Sequence, residues 1–340
     1  MAILVGVDEA GYGPILGPLV ITAVVFEVKD HEVDGNLWQI LKGAVIPLNP
    51  PLIKGDLRGI IGRERGLQRP LAVADSKRLY SSSRGLRRLE EGVLAFQGCI
   101  ENIENLRKLL DALYCYDESQ SALGGLYPWY HNMQLGLPLT APPEEVARYR
   151  QLLQGVLASR GVKFLGSRAV VISPFEFNKA VEACGNKALL LFDNCAKLIK
   201  DLWVEYPQLE VLCDKHGGRS RYAALLSRAF GRCTIRFLLE GPEVSSYELK
   251  DGWEGHSQLR LKVSFIPKAE DKHLPVALAS MYSKYVRELF LRLFNNYWQE
   301  KLPGLKATAG YPKDARRFLK DIDRLKASLR IKDDILIRNR

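Results

Sequence analysis

The chain has 340 residues, 47% of them apolar and 26% charged, with 49 Lys and Arg against 39 Asp and Glu for a net charge of +10. Such a length excludes a core-poor miniprotein, and the composition excludes a disordered or low-complexity chain. The basic surplus favours a polyanionic partner, because each phosphate contact releases condensed counterions.

The first predicted element is a strand over Ala2 to Val7, apolar and β-branched, ended by Asp8 and Glu9 and then Gly11 and Gly13. A second Val- and Ile-rich run, Leu19 to Val28, follows a turn marked by Gly13, Pro14, Gly17 and Pro18, so the two predict a hairpin. Residues from about 30 to 68 are irregular, with Pro47, Pro50 and Pro51. Asp75, Ser76 and Lys77 precede a helical pattern from about Ser83 to Leu94. A region from about 99 to 165 reads as inserted: a helix near Asn102 to Leu113, an aromatic patch (Tyr127, Trp129, Tyr130, His131), and a helix from about Glu144 to Ser159.

Alternation of strand and helix then resumes. Val170 to Ser173 predicts a strand, Asn186 to Trp203 an amphipathic helix, and Leu209 to Cys213 a strand ending at Asp214. A helix from about Ser220 to Phe230 and strands over Cys233 to Leu239 and Leu259 to Phe265 come next. A long helix spans about Pro275 to Trp298 and another about Lys313 to Leu329. Two strands followed by strand–helix units predict an α/β fold, a mixed sheet flanked by helices.

Six cysteines (Cys99, Cys115, Cys184, Cys195, Cys213, Cys233) form no CxxC pair, neither a zinc pattern nor a disulfide framework. Asp8 and Glu9 break the apolar N-terminus where a signal peptide needs an unbroken run. No stretch approaches the ~20 apolar residues of a membrane span. The expectation is a soluble, cytoplasmic protein.

The chemistry concentrates in acids placed beside glycines. Neighbours in a regular strand point to opposite faces, but at a strand terminus followed by Gly11 and Gly13 the backbone is free to turn, bringing Asp8 and Glu9 to one site. Asp214 ends an apolar strand and leads into Lys215, His216, Gly217, Gly218 and Arg219, a setting that suits phosphate handling. Asp also commonly begins turns and caps helices. The third feature is Lys268-Ala269-Glu270-Asp271 ahead of the long helix, where acids serve either as helix-terminus charges or as metal ligands at the sheet rim.

Together these residues resemble type-2 ribonuclease H. Val7-Asp8-Glu9-Ala10-Gly11-Tyr12-Gly13-Pro14, continuing to Gly17-Pro18-Leu19-Val20, is similar to that family's opening motif. Asp75-Ser76-Lys77-Arg78-Leu79 resembles its second motif, and Leu212-Cys213-Asp214 the strand bearing its third acid. Lys268-Ala269-Glu270 with Ala279-Ser280, Lys284 and Arg287-Glu288 resembles its fourth, and Gly310-Tyr311 its late Gly-Tyr. The matches fall in the family's order. The chain departs from the pattern at Tyr12, where the family has Arg, at Glu270, where it has Asp, and at Thr308-Ala309, where it has a histidine. It is also longer than a minimal member.

The resemblance implies a ribonuclease H-like catalytic unit over residues 1–300, with insertions at about 30–68 and 99–165, and a helical C-terminal segment over 301–340. It implies two Mg²⁺ or Mn²⁺ ions held by Asp8, Glu9, Asp214 and Glu270, with Asp271 as the alternative to Glu270, since hard cations take oxygen ligands. The reaction implied is phosphodiester hydrolysis in the RNA strand of RNA–DNA hybrids, or at ribonucleotides embedded in duplex DNA. Gly11, Tyr12 and Gly13 are expected to read the 2′-hydroxyl that separates RNA from DNA, and Tyr311 to stack on the neighbouring deoxyribose. Lys77, Lys215, Arg219 and Arg221 are candidates for backbone phosphates, as are Lys284 and Arg287; for each the bland reading is a solvated charge. His216 is either a proton shuttle or a turn histidine, and the aromatic patch either grips nucleic acid or, as favoured here, packs within the insertion. No protein partner is evident. Two other functions fit the same residues: action on another structured nucleic acid, and a binding module without turnover.

Overall fold

In this computed structural model, the structure describes residues 1–48, 69–81, 83, 85–113, 125–131, 133–250 and 259–339. The strands are β1 (Ala2–Ala10), β2 (Leu19–Val28), β3 (Val45–Ile46), β4 (Leu71–Ala72), β5 (Lys163–Ile172), β6 (Gln208–Asp214), β7 (Thr234–Glu240), β8 (Ser245–Lys250) and β9 (Arg260–Ile266). Seven form one sheet in the order β5-β2-β1-β6-β9-β8-β7, while β3 and β4 pair separately. β1 runs antiparallel to β2 and parallel to β6, and β6 runs parallel to β9. The remaining pairs, β2–β5, β9–β8 and β8–β7, are antiparallel.

Helices cover both faces, as expected for this α/β arrangement. They are α1 (Leu37–Ile40), α2 (Ser76–Leu79), α3 (Arg87–Gln97), α4 (Leu106–Ala112), α5 (Pro143–Arg160), α6 (Pro174–Cys184), α7 (Lys187–Glu205), α8 (Ala223–Phe230), α9 (Leu274–Lys301) and α10 (Pro312–Ser328). The period-2 alternation of the central strands divides their side chains between two cores. Leu4, Val20, Val24, Phe26 and Val28 join the core under α9, α3 and α5. Val5, Val7, Leu19, Ile21, Ala23 and Val25 join the core under α7 and α8. A sheet buried on both faces explains why these strands read as continuous apolar runs. Each of the Val, Leu, Ile and Phe side chains contributes about 1.5–3 kcal/mol by leaving water.

One contact fixes where α9 lies. A Cβ on Gly6 would come within 2.1 Å of the Pro275 carbonyl carbon, so the first turn of α9 rests directly on the β1 backbone. The acidic turn before α9 is thereby carried to the end of β1. Tyr127, Trp129 and Tyr130 of the aromatic patch are buried while His131 is exposed. The patch packs on the long helix and not only within the insertion, with Trp129 on Phe294 and Trp298, and Tyr130 on Phe290 of α9. No helix among the described residues is long and apolar enough to cross a membrane.

Several elements differ from expectation. β5 begins at Lys163 rather than Val170, because Gly166 (φ +131°) and a register shift opposite Val25 and Phe26 interrupt its pattern. β8 was not anticipated: only Tyr247 and Leu249 carry its alternation, and both are fully buried. α6 was also unforeseen, although Ser173 and Glu176 form a reciprocal capping box ahead of it. The irregular stretch 30–68 contains α1 and β3, with 49–68 outside the described residues. Of the inserted region 99–165, residues 114–124 and 132 lie outside them.

Candidate active site

β1 does not turn at the acidic pair as expected. It stays paired with β2 through Asp8, Glu9 and Ala10, whereas its pairing with β6 stops at Val7 opposite Cys213. The two acids therefore keep strand alternation, and both lie beyond the end of the β6 pairing. Asp8 faces α9: its carboxyl is hydrogen-bonded with Ser280, and its carbonyl accepts from Ser283 Oγ at 3.0 Å. The Ser280 hydroxyl also lies 3.0 Å from that of Ser76, at the start of α2. This chain of hydroxyls ties the Asp75-Ser76-Lys77 segment to the acidic edge of the sheet.

Asp214 arrives at the same edge as the last residue of β6, and its Oδ1 accepts from the Ala269 amide at 3.1 Å. That bond anchors the single turn Ala269–Asp271, which Lys268 enters in the left-handed region (φ 53°). Within the turn the two acids diverge. Glu270 is buried with Oε2 unpartnered among the described residues, whereas Asp271 pairs with Arg78 at 3.0 Å.

The electrostatics tie Asp8, Glu9, Asp214 and Glu270 into one field. Burial pushes Asp8 well above the usual carboxylate range, and Glu9 and Glu270 add repulsion. Burial, then Asp214, pushes Glu9 up to about 7. Burial and Asp214 likewise push Glu270 up to about 7. Asp214 is raised by burial, against which the amides of Ala269, Lys215 and Lys268 work. Burial pulls Lys77 down, but Asp75, Asp8, Glu270 and Glu9 outweigh it and hold its ammonium above the ordinary value. Lys77 is thus a cation that answers the cluster.

The donor set suits a hard divalent cation: carboxylate oxygens, one of them orphaned in the interior, in a field that resists ionisation until positive charge is supplied. Among the described residues, no three His, Cys, Asp or Glu side chains stand close enough together to hold an ion.

The remaining site candidates divide. Gly11 adopts φ +96°, and a Cβ there would meet Pro18 O at 2.6 Å and Arg287 Nε at 2.7 Å, so only glycine fits. Gly13 faces open space. Tyr12 is half-buried, and the Lys187 ammonium lies 4.8 Å from its ring centroid. Tyr311 is 51% exposed, directly after Gly310. Arg219 is half-buried in the turn after Asp214, and Arg221 is exposed.

Three candidates are engaged elsewhere. Lys215 is buried, with Nζ donating to the carbonyls of Gly241 (2.6 Å) and Pro242 (3.0 Å), so it braces the β7–β8 turn. Arg287 is fully buried and donates to Leu16 O, Ala309 O and Glu288, so it joins two loops rather than meeting solvent. Lys284 donates to Glu288 at 2.6 Å. His216 packs against Phe192, Tyr222 and Phe265. Burial, then Arg219, pushes it down to about 4, which suits the turn histidine and not the shuttle.

Sequence reasoning missed Lys187 and the tail around Arg338. The Arg338 guanidinium donates to the carbonyls of Gly11 and Pro14, and its amide donates to Ile15 O at 2.8 Å. A single Arg near a chain end gives no local signal of such a contact.

The structure thus presents a mixed sheet with a carboxyl cluster at the ends of β1 and β6. No protein-family model matches the sequence, and no curated protein matches it. Similar solved structures are ribonucleases of the HII and HIII kinds. The ribonuclease HII solved with PCNA from Archaeoglobus fulgidus is 16% identical, with 99% of this chain and 94% of that one covered and a TM-score of 0.42. For ribonuclease H2 from Pyrococcus horikoshii OT3 the values are 13%, 98%, 92% and 0.43. For Bst ribonuclease HIII in complex with Mn²⁺ they are 12%, 99%, 66% and 0.40.

Proposed function

We propose that this chain is a divalent-metal-dependent endonuclease of the type-2 ribonuclease H kind. It hydrolyses the RNA strand of RNA–DNA hybrids or cuts at ribonucleotides embedded in duplex DNA. The observation that carries the reading is the common field of Asp8, Glu9, Asp214 and Glu270, contributed by β1, β6 and the turn before α9, with two of the four pushed up to about 7. Buried acids that repel one another destabilise the fold unless a cation uses them.

Asp8, Glu9, Asp214 and Glu270 would hold Mg²⁺ or Mn²⁺. The bound ions supply activation of water and stabilisation of the departing ribose 3′-oxygen. The chain does the rest. Ser280 orients the Asp8 carboxyl, and the Ala269 amide orients that of Asp214. Lys77 offers a positive group at the same edge for the phosphate under attack. The backbone of the Gly11-Tyr12-Gly13 loop, open at Gly13, reads the 2′-hydroxyl, and exposed Tyr311 offers a stacking face to the adjoining sugar. Residues 1–300 would form the catalytic unit and 301–340 its helical extension.

The test is incubation with Mg²⁺ or Mn²⁺ and three labelled duplexes: an RNA–DNA hybrid, DNA with one embedded ribonucleotide, and plain DNA. Cutting confined to the first two, and abolished by Asp8→Asn, is the expected result. Cutting of plain DNA would reassign the substrate, and no cutting with either ion would overturn the reading.

A further inference from the structure

Beside the glycine loop, on the side away from α9, the C-terminal tail closes over α6. Asn178 of α6 donates to the carbonyls of Asp334 (3.1 Å) and Ile337 (2.7 Å) and accepts from the Asn339 amide (2.6 Å). This clasp delivers Arg338 to the interior at 2% exposure, its guanidinium 4.7 Å from the Phe177 ring centroid. Its Nη2 is satisfied by the loop carbonyls, but Nε and Nη1 have no partner among the described residues. No carboxylate among those residues pairs with it. An unpaired buried cation is expensive, and proteins rarely keep one without use. Desolvation, with Arg287 adding repulsion, pushes the guanidinium down to about 9.

Arg338 lines a pocket together with Tyr12, Gly13, Phe177, Lys187 and Asn339. The volume is about 240 Å³, well above the ~10–15 Å³ that a cavity needs to hold one water, so it admits a polyatomic anion. Lys187 stands at the first position of the 19-residue α7. A helix N-terminus carries partial positive charge and disfavours a lysine. Lys187 has no acidic partner among the described residues either. A helix dipole, an ammonium and a buried guanidinium therefore direct positive charge at one cavity whose described lining carries no acidic side chain. Tyr12 connects the pocket to the carboxyl cluster: burial, and then Glu9, raises its phenol.

We propose that this pocket binds a backbone phosphate of the nucleic-acid substrate, with Lys187 and Arg338 as its charged groups. The proposal rests on the nuclease reading for the identity of the substrate and deepens it. The tail then has two duties: Arg338 fixes the loop that reads the sugar, and it helps hold the strand by a phosphate on the flank of that loop. Tyr12, under the Lys187 ammonium, forms the wall between phosphate and sugar.

The test is binding of the full chain to a labelled RNA–DNA hybrid in EDTA, followed by fluorescence anisotropy across a four-fold rise in salt. Lys187→Gln is the main variant because its side chain makes no hydrogen bond among the described residues. Lys200→Gln, on the same helix and about 20 Å along its axis, is the control. Losing one phosphate contact should flatten the log–log salt slope by about 0.9 and shrink the wild-type advantage about 3.5-fold over that range. An unchanged slope for Lys187→Gln, or an equal change for Lys200→Gln, overturns the proposal. Thermal unfolding with inorganic phosphate separates the sources: a midpoint raised in wild type but not in Lys187→Gln, with no slope change on the hybrid, assigns the pocket to free phosphate and also overturns it. A flattened slope in a protein that cuts no hybrid with Mg²⁺ or Mn²⁺ supports the pocket and overturns the nuclease reading. Cutting that persists while the slope ignores Lys187 overturns the pocket alone.

Discussion

Arg78 and Asp271 form an ion pair of 3.0 Å at the rim of the carboxyl cluster, and that pair turns Asp271 away from the interior Glu270 enters. Adjacent acids in one turn thus have different surroundings. Glu270→Gln should lower cleavage by roughly 10²-fold or more, as removal of a charge acting on the reacting groups does. Asp271→Asn breaks only a partly exposed pair, worth at most about 1 kcal/mol, and should leave cleavage within a few-fold of wild type. Steady-state rates on an RNA–DNA hybrid distinguish the two, and the reverse ranking would move the fourth acid to Asp271.

The raised carboxyls make metal-free stability depend on pH. Glu9 and Glu270 move from an ordinary 4.5 to about 7 in the folded protein. Folding therefore favours their protonated forms, and the associated stability is present below about 4.5 and lost as pH rises through about 7. In EDTA the thermal midpoint should decline over that window. Mg²⁺ or Mn²⁺ should cancel the decline and release protons on binding, measurable as a dependence of titration heat on buffer ionisation enthalpy. A midpoint with the same pH profile with and without the ion would contradict this.

Replacing Gly6 should be far more damaging than its size suggests. The methyl group introduced by Gly6→Ala would meet the Pro275 backbone at 2.1 Å, where nothing flexible can give way. The expected cost is at or above the top of the ~1–3 kcal/mol range for overpacking. Because the displaced helix carries Ser280 and follows Glu270, activity should fall even in the folded fraction. Denaturant midpoints together with rates per folded molecule check both parts.

Arg287→Met should loosen two loops at once. The guanidinium holds Leu16 O and Ala309 O, and the Ile15 and Leu16 amides both donate to Gly310 O across the same junction. Loss of charge-assisted bonds in the interior should destabilise the protein by about 3 kcal/mol or more. Hydrogen exchange at Ile15 and Leu16 should accelerate. Protection equal to wild type at those amides would show that Arg287 is not the tie.

His216→Phe should be nearly silent. The ring sits in an aromatic cluster and stays neutral over the working pH range, so cleavage should hold within a few-fold. A loss of a hundred-fold or more would restore the proton shuttle.

The sequence by itself determined the mixed sheet flanked by helices, the β1–β2 hairpin and the acids at the ends of β1 and β6, because these rest on local periodicity and on residues adjacent in the chain. The same local logic misjudged Asp8 and Glu9, since β2 continues to pair with β1 after β6 has stopped. It overlooked β8, whose two inward side chains are too few to make a pattern. Only the tertiary structure decided that Glu270 enters the cluster while Asp271 pairs with Arg78, that Arg287 is interior, and that Arg338 returns across more than three hundred residues to the Gly11 carbonyl. Each of these depends on the partner a long side chain finds after folding. A lysine, arginine or carboxylate reads alike in sequence whether it ends in water, in an ion pair or in the core, and burial with its desolvation penalty is what separates those fates.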